Sequence, residues 1–270
     1  MKSWWFNVVG LGMMLFSSSV GAVEIIAHRG ASAAAPENTV AAEQLAWTMD
    51  SDCVEVDVHL TLDDRVVVIH DGTTKRTAGV NLEVRQATAE ALRALDVGSF
   101  KGEKYRGEKI PFLEEIVEAV PPGKNLYIEI KCGPEVLPWV REIIDRSGKR
   151  SQMVIIGFNL ETMAQSKKLM PDRPTYWLRG TVKDKETGRM VPHDPEWIQL
   201  AKERRLDGLN VHFGGVTQDF CEAVRASGLG MYVWTVDDPA EAKRLHGLDV
   251  DGITTNKPDL LRRELHLAGH

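Results

Sequence analysis

Glu55 and Asp57 stand two residues apart in an apolar, β-branched run from Cys53 to Val58, and a second such run, 66–69, leads into His70 and Asp71. Side chains at i and i+2 of a strand share a face, so the two carboxylates lie side by side. Like charges placed this way repel unless a cation sits between them, and a divalent metal is the simplest solution. The link between the two runs is far too short for a parallel crossover, so they form an antiparallel hairpin. With Asp63-Asp64 as a two-residue turn, His70 falls opposite Asp57 and Ile69 opposite Val58. The histidine returns to the carboxylates.

The remaining apolar runs supply the elements that hold this pair. Runs at 24–27, 126–130, 153–156, 174–178, 207–211, 230–234 and 250–254 join the two above, making nine. Segments with helical character separate most of them, at 112–119, 135–146, 160–169, 195–204, 218–227, 238–246 and 258–267, with another through Ala41 to Met49 that Asn38 or Thr39 can cap. The hairpin arm removes one run from the parallel count. Eight parallel strands alternating with helices over roughly 250 residues make a (β/α)8 TIM barrel. A polar excursion at 72–110, with a helix near Ala89 to Leu95, and a charged loop at 180–194 both follow strands, on the side where such barrels build their sites.

Strand ends converge on one mouth in that architecture. They carry His28 and Arg29, Glu55 and Asp57, Glu129 and Lys131, then Asn159, Arg179, His212, Trp234 with Asp237, and Asn256. Glu55, Asp57 and Glu129 form an oxygen-rich set suited to one hard divalent cation, Mg²⁺ or Ca²⁺. Zinc would want more nitrogen or sulfur, and no HExxH pattern is present. His28 and His70 flank the set and can exchange protons near neutral pH as general acid and base. Arg29 and Lys131 add the fixed positive charge that an anionic phosphodiester needs as charge builds on its oxygens. The combination describes phosphoryl transfer. His59, one face-position beyond Asp57, points either over the mouth or into solvent; His193, His246, His266 and His270 lie in loops or on helices, without a role.

The whole chain of 270 residues carries a net charge of −6 and a 43% apolar fraction. It can bury a core, and it offers no electrostatic footprint for nucleic acid. Lys2, the apolar stretch to Phe16 and the small residues ending at Ala22 have the build of a secretory signal peptide over 1–22. That predicts a secreted or periplasmic mature chain, 23–270, in which no later segment is apolar enough to span a membrane. Three cysteines, Cys53, Cys132 and Cys221, make neither a disulfide framework nor a metal motif, and Cys53 shares the strand parity of Glu55, which buries it. Nothing in the sequence names an oligomeric partner.

The motifs His28-Arg29-Gly30, Pro36-Glu37-Asn38-Thr39, Glu55-x-Asp57, His70-Asp71 with Arg76-Thr77, Glu129-Ile130-Lys131, Trp234-Thr235-Val236-Asp237 and Asp251 to Pro258 occur in this order. The set resembles the glycerophosphodiester phosphodiesterases across nearly the whole mature chain. The resemblance implies one divalent cation on Glu55, Asp57 and Glu129, acid and base catalysis by His28 and His70, phosphate contacts from Arg29 with help from Lys131, and an apolar wall from Trp234. It implies cleavage of a small-molecule glycerophosphodiester to sn-glycerol 3-phosphate and an alcohol through a cyclic phosphate, with residues 72–110 as a small subdomain over the mouth. Lysophospholipase D proteins share this barrel and site type. A glycosidase using Glu55 and Glu129 leaves the two histidines, Arg29 and Lys131 without a task, and a non-catalytic binding module has no need to keep both His28 and His70.

Overall fold

The computed structural model describes residues 23–267. The expected signal segment, 1–22, lies outside them, as does His270. Along the chain come β1 (Glu24–His28), α1 (Val40–Thr48), β2 (Cys53–Leu60), β3 (Val66–Val68), α2 (Lys75–Ala78), α3 (Ala89–Arg93), α4 (Leu113–Ala119), β4 (Asn125–Ile130) and α5 (Leu137–Ser147). There follow β5 (Met153–Gly157), α6 (Leu160–Leu169), β6 (Thr175–Arg179), α7 (Glu196–Glu203), β7 (Gly208–His212), α8 (Gln218–Ala226), β8 (Gly230–Trp234), α9 (Pro239–His246), β9 (Gly252–Thr255) and α10 (Pro258–Glu264). The sheet runs β1-β9-β8-β7-β6-β5-β4-β2-β3, and β1 also pairs with β2. That last pairing closes eight parallel strands into a TIM barrel and leaves β3 as an antiparallel flap on β2, where the hairpin argument placed it.

Period-two alternation sorts each strand between two cores. On β2 the even residues Val54, Val56 and Val58 enter the large core shared with the surrounding helices, while Cys53 joins the barrel interior. Glu55 and Asp57 follow Cys53 inward. Below them Tyr127, Tyr176 and Tyr232 plug the barrel, the last two stacked with ring centroids 4.5 Å apart. Apolar filling beneath and carboxylates above is the layering expected of a closed barrel with its chemistry at the C-terminal ends of the strands. Thr39, Asn159, Thr217 and Asp238 each cap a following helix with a side-chain oxygen. Cys53, Cys132 and Cys221 are free thiols.

The hairpin register differs by one residue from the expected pairing. Val58 pairs with Val68, His59 with Val67 and Leu60 with Val66, and Ile69 donates its N–H to Asp57 O at 3.0 Å. Ile69, not His70, therefore stands opposite Asp57. The cause is the turn: Thr61 N–H bonds Arg65 O, and Asp64 adopts the left-handed conformation at φ 58°. This is a three-residue loop ending in an αL residue, the next most common solution after the two-residue turn.

Residues 72–110 build a small core of their own under β3, from Val67, Ile69, Val84, Leu92, Val97 and Ile110. The predicted helix is α3, and a single turn, α2, precedes it. The excursion is strapped to the loop between β1 and α1: Lys101 Nζ donates to Ser32 O at 2.6 Å and Tyr105 Oη to Ala34 O at 2.9 Å. Among the described residues no helix is long and apolar enough to cross a membrane.

Glu43 on α1 is fully buried, accepts one bond from Trp47 Nε1 at 3.3 Å and leaves Oε2 unpartnered. Burial pushes its carboxyl up to about 8, against the smaller pull of Trp47 and Lys149. The folded state therefore keeps a proton that the unfolded chain releases near its usual 4.5, and stability falls as pH rises through that window. Replacing Glu43 by Gln should flatten this slope: Tm measured between about pH 5 and pH 8 should fall less in the variant than in the wild type. Parallel Tm profiles would contradict the assignment.

Candidate active site

Glu55, Asp57 and Glu129 meet because β2 and β4 are neighbours in register, Asp57 beside Glu129 and Glu55 beside Tyr127. One oxygen from each lies within 4.8 Å of the others, and all three residues are buried. Asn38, held at φ 59° just before α1, fixes the middle member: its Nδ2 donates to Asp57 Oδ2 at 2.8 Å and its Oδ1 accepts from Asp57 N–H at 3.1 Å. Thr39 is the helix cap, which frees Asn38 for this task. Arg29, also left-handed at φ 56°, turns its backbone N–H onto Glu55 Oε2 at 2.9 Å. Glu55 Oε1 and Asp57 Oδ1 are buried and accept no hydrogen bond. Burial first, and then the neighbouring carboxylates, hold Glu55 well above the usual range and raise Glu129 to about 7. Convergent buried oxygens that cannot all ionise alone fit a hard divalent cation.

Each histidine is oriented through Nδ1. His28 Nδ1 lies 2.8 Å from Asn256 Oδ1. The Asn256 amide is itself fixed, because its Nδ2 donates to Asp237 Oδ2 at 2.7 Å and its Oδ1 also accepts from Ser32 Oγ. An oxygen that only accepts requires the proton on His28 Nδ1, which leaves Nε2 as the free nitrogen, 4.0 Å from Glu55 Oε2. Burial, reinforced by Arg29, lowers the His28 pKa to about 4 and keeps the ring neutral. His70 Nδ1 lies 2.6 Å from Asp71 Oδ1, so its Nε2 is likewise the nitrogen left for chemistry. His59 is not a free base: its Nε2 bonds His70 O at 3.1 Å and so supports the backbone of the second histidine.

A chain of alternating charges runs from the carboxylate cluster to His70. Arg29 pairs with Asp57 at 3.3 Å and with Glu37 at 2.9 Å. Arg76 grips Glu37 with two nitrogens at 2.7 and 2.8 Å and reaches Asp71 at 2.7 Å. The Arg76 bond, ahead of the His70 contact, draws the Asp71 carboxyl down to about 2, so it stays ionised beside His70. Lys131 Nζ lies 2.8 Å from Glu129 and 3.6 Å from Asp57. Burial alone would lower its pKa, but Glu129 and Asp57 outweigh that and raise it.

His28, Arg29, Glu55, His70, Glu129 and Lys131 open onto one cavity of about 310 Å³ at the barrel mouth. Trp234 forms its apolar wall, pinned by a bond from Nε1 to Asn210 O at 3.1 Å and met edge-on by Phe158 at 5.5 Å. All eight predicted site residues thus gather at the mouth, Asp57 beneath its floor. Other strand-end residues do not line it. Asn159 caps α6, Arg179 lies between the rings of Trp177 and Trp197, and His212 caps a short turn while its ring meets Trp234 edge-on. Sequence reasoning missed Asn38 as a support for Asp57, Phe158 and Asn210; only Asn210, a polar residue at an inward position of an apolar strand, had a readable signal. A larger groove of about 610 Å³ runs outside the barrel, but its charged walls are solvated pairs such as Arg65–Glu114 and Arg146–Glu142.

Comparison with known proteins agrees with this geometry. The model of the glycerophosphoryl diester phosphodiesterase family matches residues 28–260. A glycerophosphodiester phosphodiesterase of Caldanaerobacter subterraneus subsp. tengcongensis is 33% identical over 242 residues, covering 88% of this chain and 95% of the relative. A human lysophospholipase D is 29% identical, over 89% of this chain and 85% of its own length. Among solved structures, an Oleispira antarctica phosphodiesterase in complex with the product sn-glycerol-3-phosphate superposes with a TM-score of 0.81 at 25% identity, covering 90% of this chain and 96% of the other. With the carboxylates, histidines and cations standing in one mouth and the family's match running almost from β1 to α10, the chain belongs to the glycerophosphoryl diester phosphodiesterase family.

Proposed function

We propose that the barrel mouth hydrolyses glycerophosphodiesters to sn-glycerol 3-phosphate and an alcohol, with His28 and His70 as the proton carriers. The observation that carries this reading is one cavity holding a three-carboxylate cluster, two histidines tied through Nδ1, and the cations Arg29 and Lys131. A divalent cation, Mg²⁺ or Ca²⁺, held by Glu55, Asp57 and Glu129 supplies positive charge for the substrate oxygens when bound. Arg29 and Lys131 bind the phosphate and stabilise the negative charge that builds on its oxygens, and Trp234 packs against the glycerol or the departing group.

In the first step the glycerol 2-hydroxyl attacks phosphorus and gives its proton to one histidine. The bond from phosphorus to the alcohol oxygen breaks, and that oxygen takes a proton from the other histidine. The cyclic phosphate is then opened by water with the roles reversed, which returns both histidines to their starting states. His28, held neutral by burial and Arg29, is set to take the first proton. His70, its Nδ1 held by Asp71, is then the partner that serves the leaving alcohol. Positioning of hydroxyl and phosphate in the closed mouth supplies much of the rate.

A second reading is a lysophospholipid substrate. Phe158 is 44% exposed at the edge of the cavity beside Trp234, an apolar shelf on which an acyl chain can lie. The apolar segment over 1–22 supports export, with the mature chain acting in a periplasmic or extracellular space on substrates found there.

Purified mature chain should release sn-glycerol 3-phosphate from glycerophosphocholine, lose this activity in EDTA and regain it with Mg²⁺ or Ca²⁺. Full turnover in chelator contradicts the metal assignment, and preferential cleavage of lysophosphatidylcholine favours the second reading. His28→Ala and His70→Ala should each lower kcat by about 10² to 10⁴-fold. On a nitrophenyl diester, whose leaving group needs no proton, His70→Ala should recover much of that loss and His28→Ala should not. Equal deficits on both substrates would remove the assigned order, and recovery by His28→Ala in place of His70→Ala would reverse it.

A further inference from the structure

We infer that Asn210 is a specificity-determining residue that binds the terminal hydroxyl of the substrate's glycerol, the one not used in attack; the inference rests on the function proposed above. Asn210 stands at an inward position of β7 and lines the catalytic cavity, yet only 1% of it is exposed. Its Oδ1 is sealed from solvent and has no hydrogen-bond partner, and no bond from its Nδ2 is found among the described residues. A buried amide normally satisfies both groups within the protein, because leaving them bare opposes folding. Here the neighbours along the barrel wall cannot help: Asn210 is in register with Leu178 on β6 and with Tyr232 on β8, and the Tyr232 hydroxyl is engaged with Tyr176. The Asn210 backbone carbonyl is already taken by Trp234 Nε1.

Closure of the sheet places β7 across the barrel from β2, four strands away in either direction. The metal-side wall is therefore β1, β2 and β4, with His28, Glu55, Asp57, Glu129 and Lys131, and Asn210 faces it. A glycerophosphodiester whose phosphate and 2-hydroxyl lie on the metal side has one hydroxyl left to reach the far wall. The amide Nδ2, which is not among the sealed atoms, can donate to that hydroxyl. A site that meets a substrate hydroxyl with a buried polar group rejects an analogue lacking it strongly, since the group is then left bare.

The test compares glycerophosphocholine with the phosphocholine diester of propane-1,2-diol, which keeps the attacking hydroxyl and lacks only the terminal one. Wild-type protein with Mg²⁺ should prefer the glycerol substrate in kcat/KM by at least about a hundredfold. Asn210→Leu should lose most of this preference, lowering kcat/KM on glycerophosphocholine while leaving the propanediol diester little changed; Asn210→Ala provides the same comparison if the leucine variant fails to fold. Equal kcat/KM for the two substrates in the wild type overturns the inference while leaving the proposed hydrolysis intact. An unchanged preference in a folded variant overturns it as well. Failure of the wild type to cleave either diester overturns the functional reading and this inference with it.

Discussion

Three buried carboxylates within 4.8 Å of one another set the terms for the rest of the molecule. Burial opposes the ionised form of each, and each opposes the others, so Glu55 and Glu129 are pushed upward. Two features of the barrel make the arrangement tolerable. Apolar layers beneath, closed by the three tyrosines, hold the strands in register, and fixed positive charge stands immediately around the cluster on Arg29 and Lys131. The two oxygens left without a hydrogen bond, Glu55 Oε1 and Asp57 Oδ1, are what a metal ion would take up.

The same repulsion explains why residues far apart in sequence are wired together. Arg29 serves Asp57 and Glu37, Glu37 serves Arg76, and Arg76 holds Asp71 against His70. Charge compensation at the cluster thus becomes orientation at the second histidine. The first is oriented separately, through Asp237 and Asn256. Both devices tie Nδ1 and leave Nε2 of each imidazole without a hydrogen bond among the described residues.

Much of this was legible in the sequence, for physical reasons that differ by feature. Glu55-x-Asp57 was readable because strand parity is local, and the barrel because eight runs could be counted once the short hairpin was set aside. The hairpin's register was misjudged by one because it depends on a backbone dihedral at Asp64, and an Asp-Asp pair signals no particular turn. Asn38 reads in the sequence only as one of two candidate helix caps, with Thr39, since capping is a local rule, whereas its bonds to Asp57 span the sequence and appear only when β2 lies beside the start of α1. Phe158 escaped for a related reason, since an aromatic after a strand is ordinary until the closed barrel shows which cavity it enters, whereas the inward amide of Asn210 on an apolar strand was a signal that strand parity could have exposed.

The central claim is that the carboxylate cluster is a metal site whose protons and cation compete. Calorimetric titration with Mg²⁺ or Ca²⁺ at about pH 6, in buffers of different ionisation heat, tests it most directly. With Glu129 raised to about 7 and Glu55 also raised by burial and its neighbouring carboxylates, the account predicts one bound ion per chain with net release of protons, and a smaller release from Glu129→Gln. Absence of binding, or binding with no proton release, would contradict it.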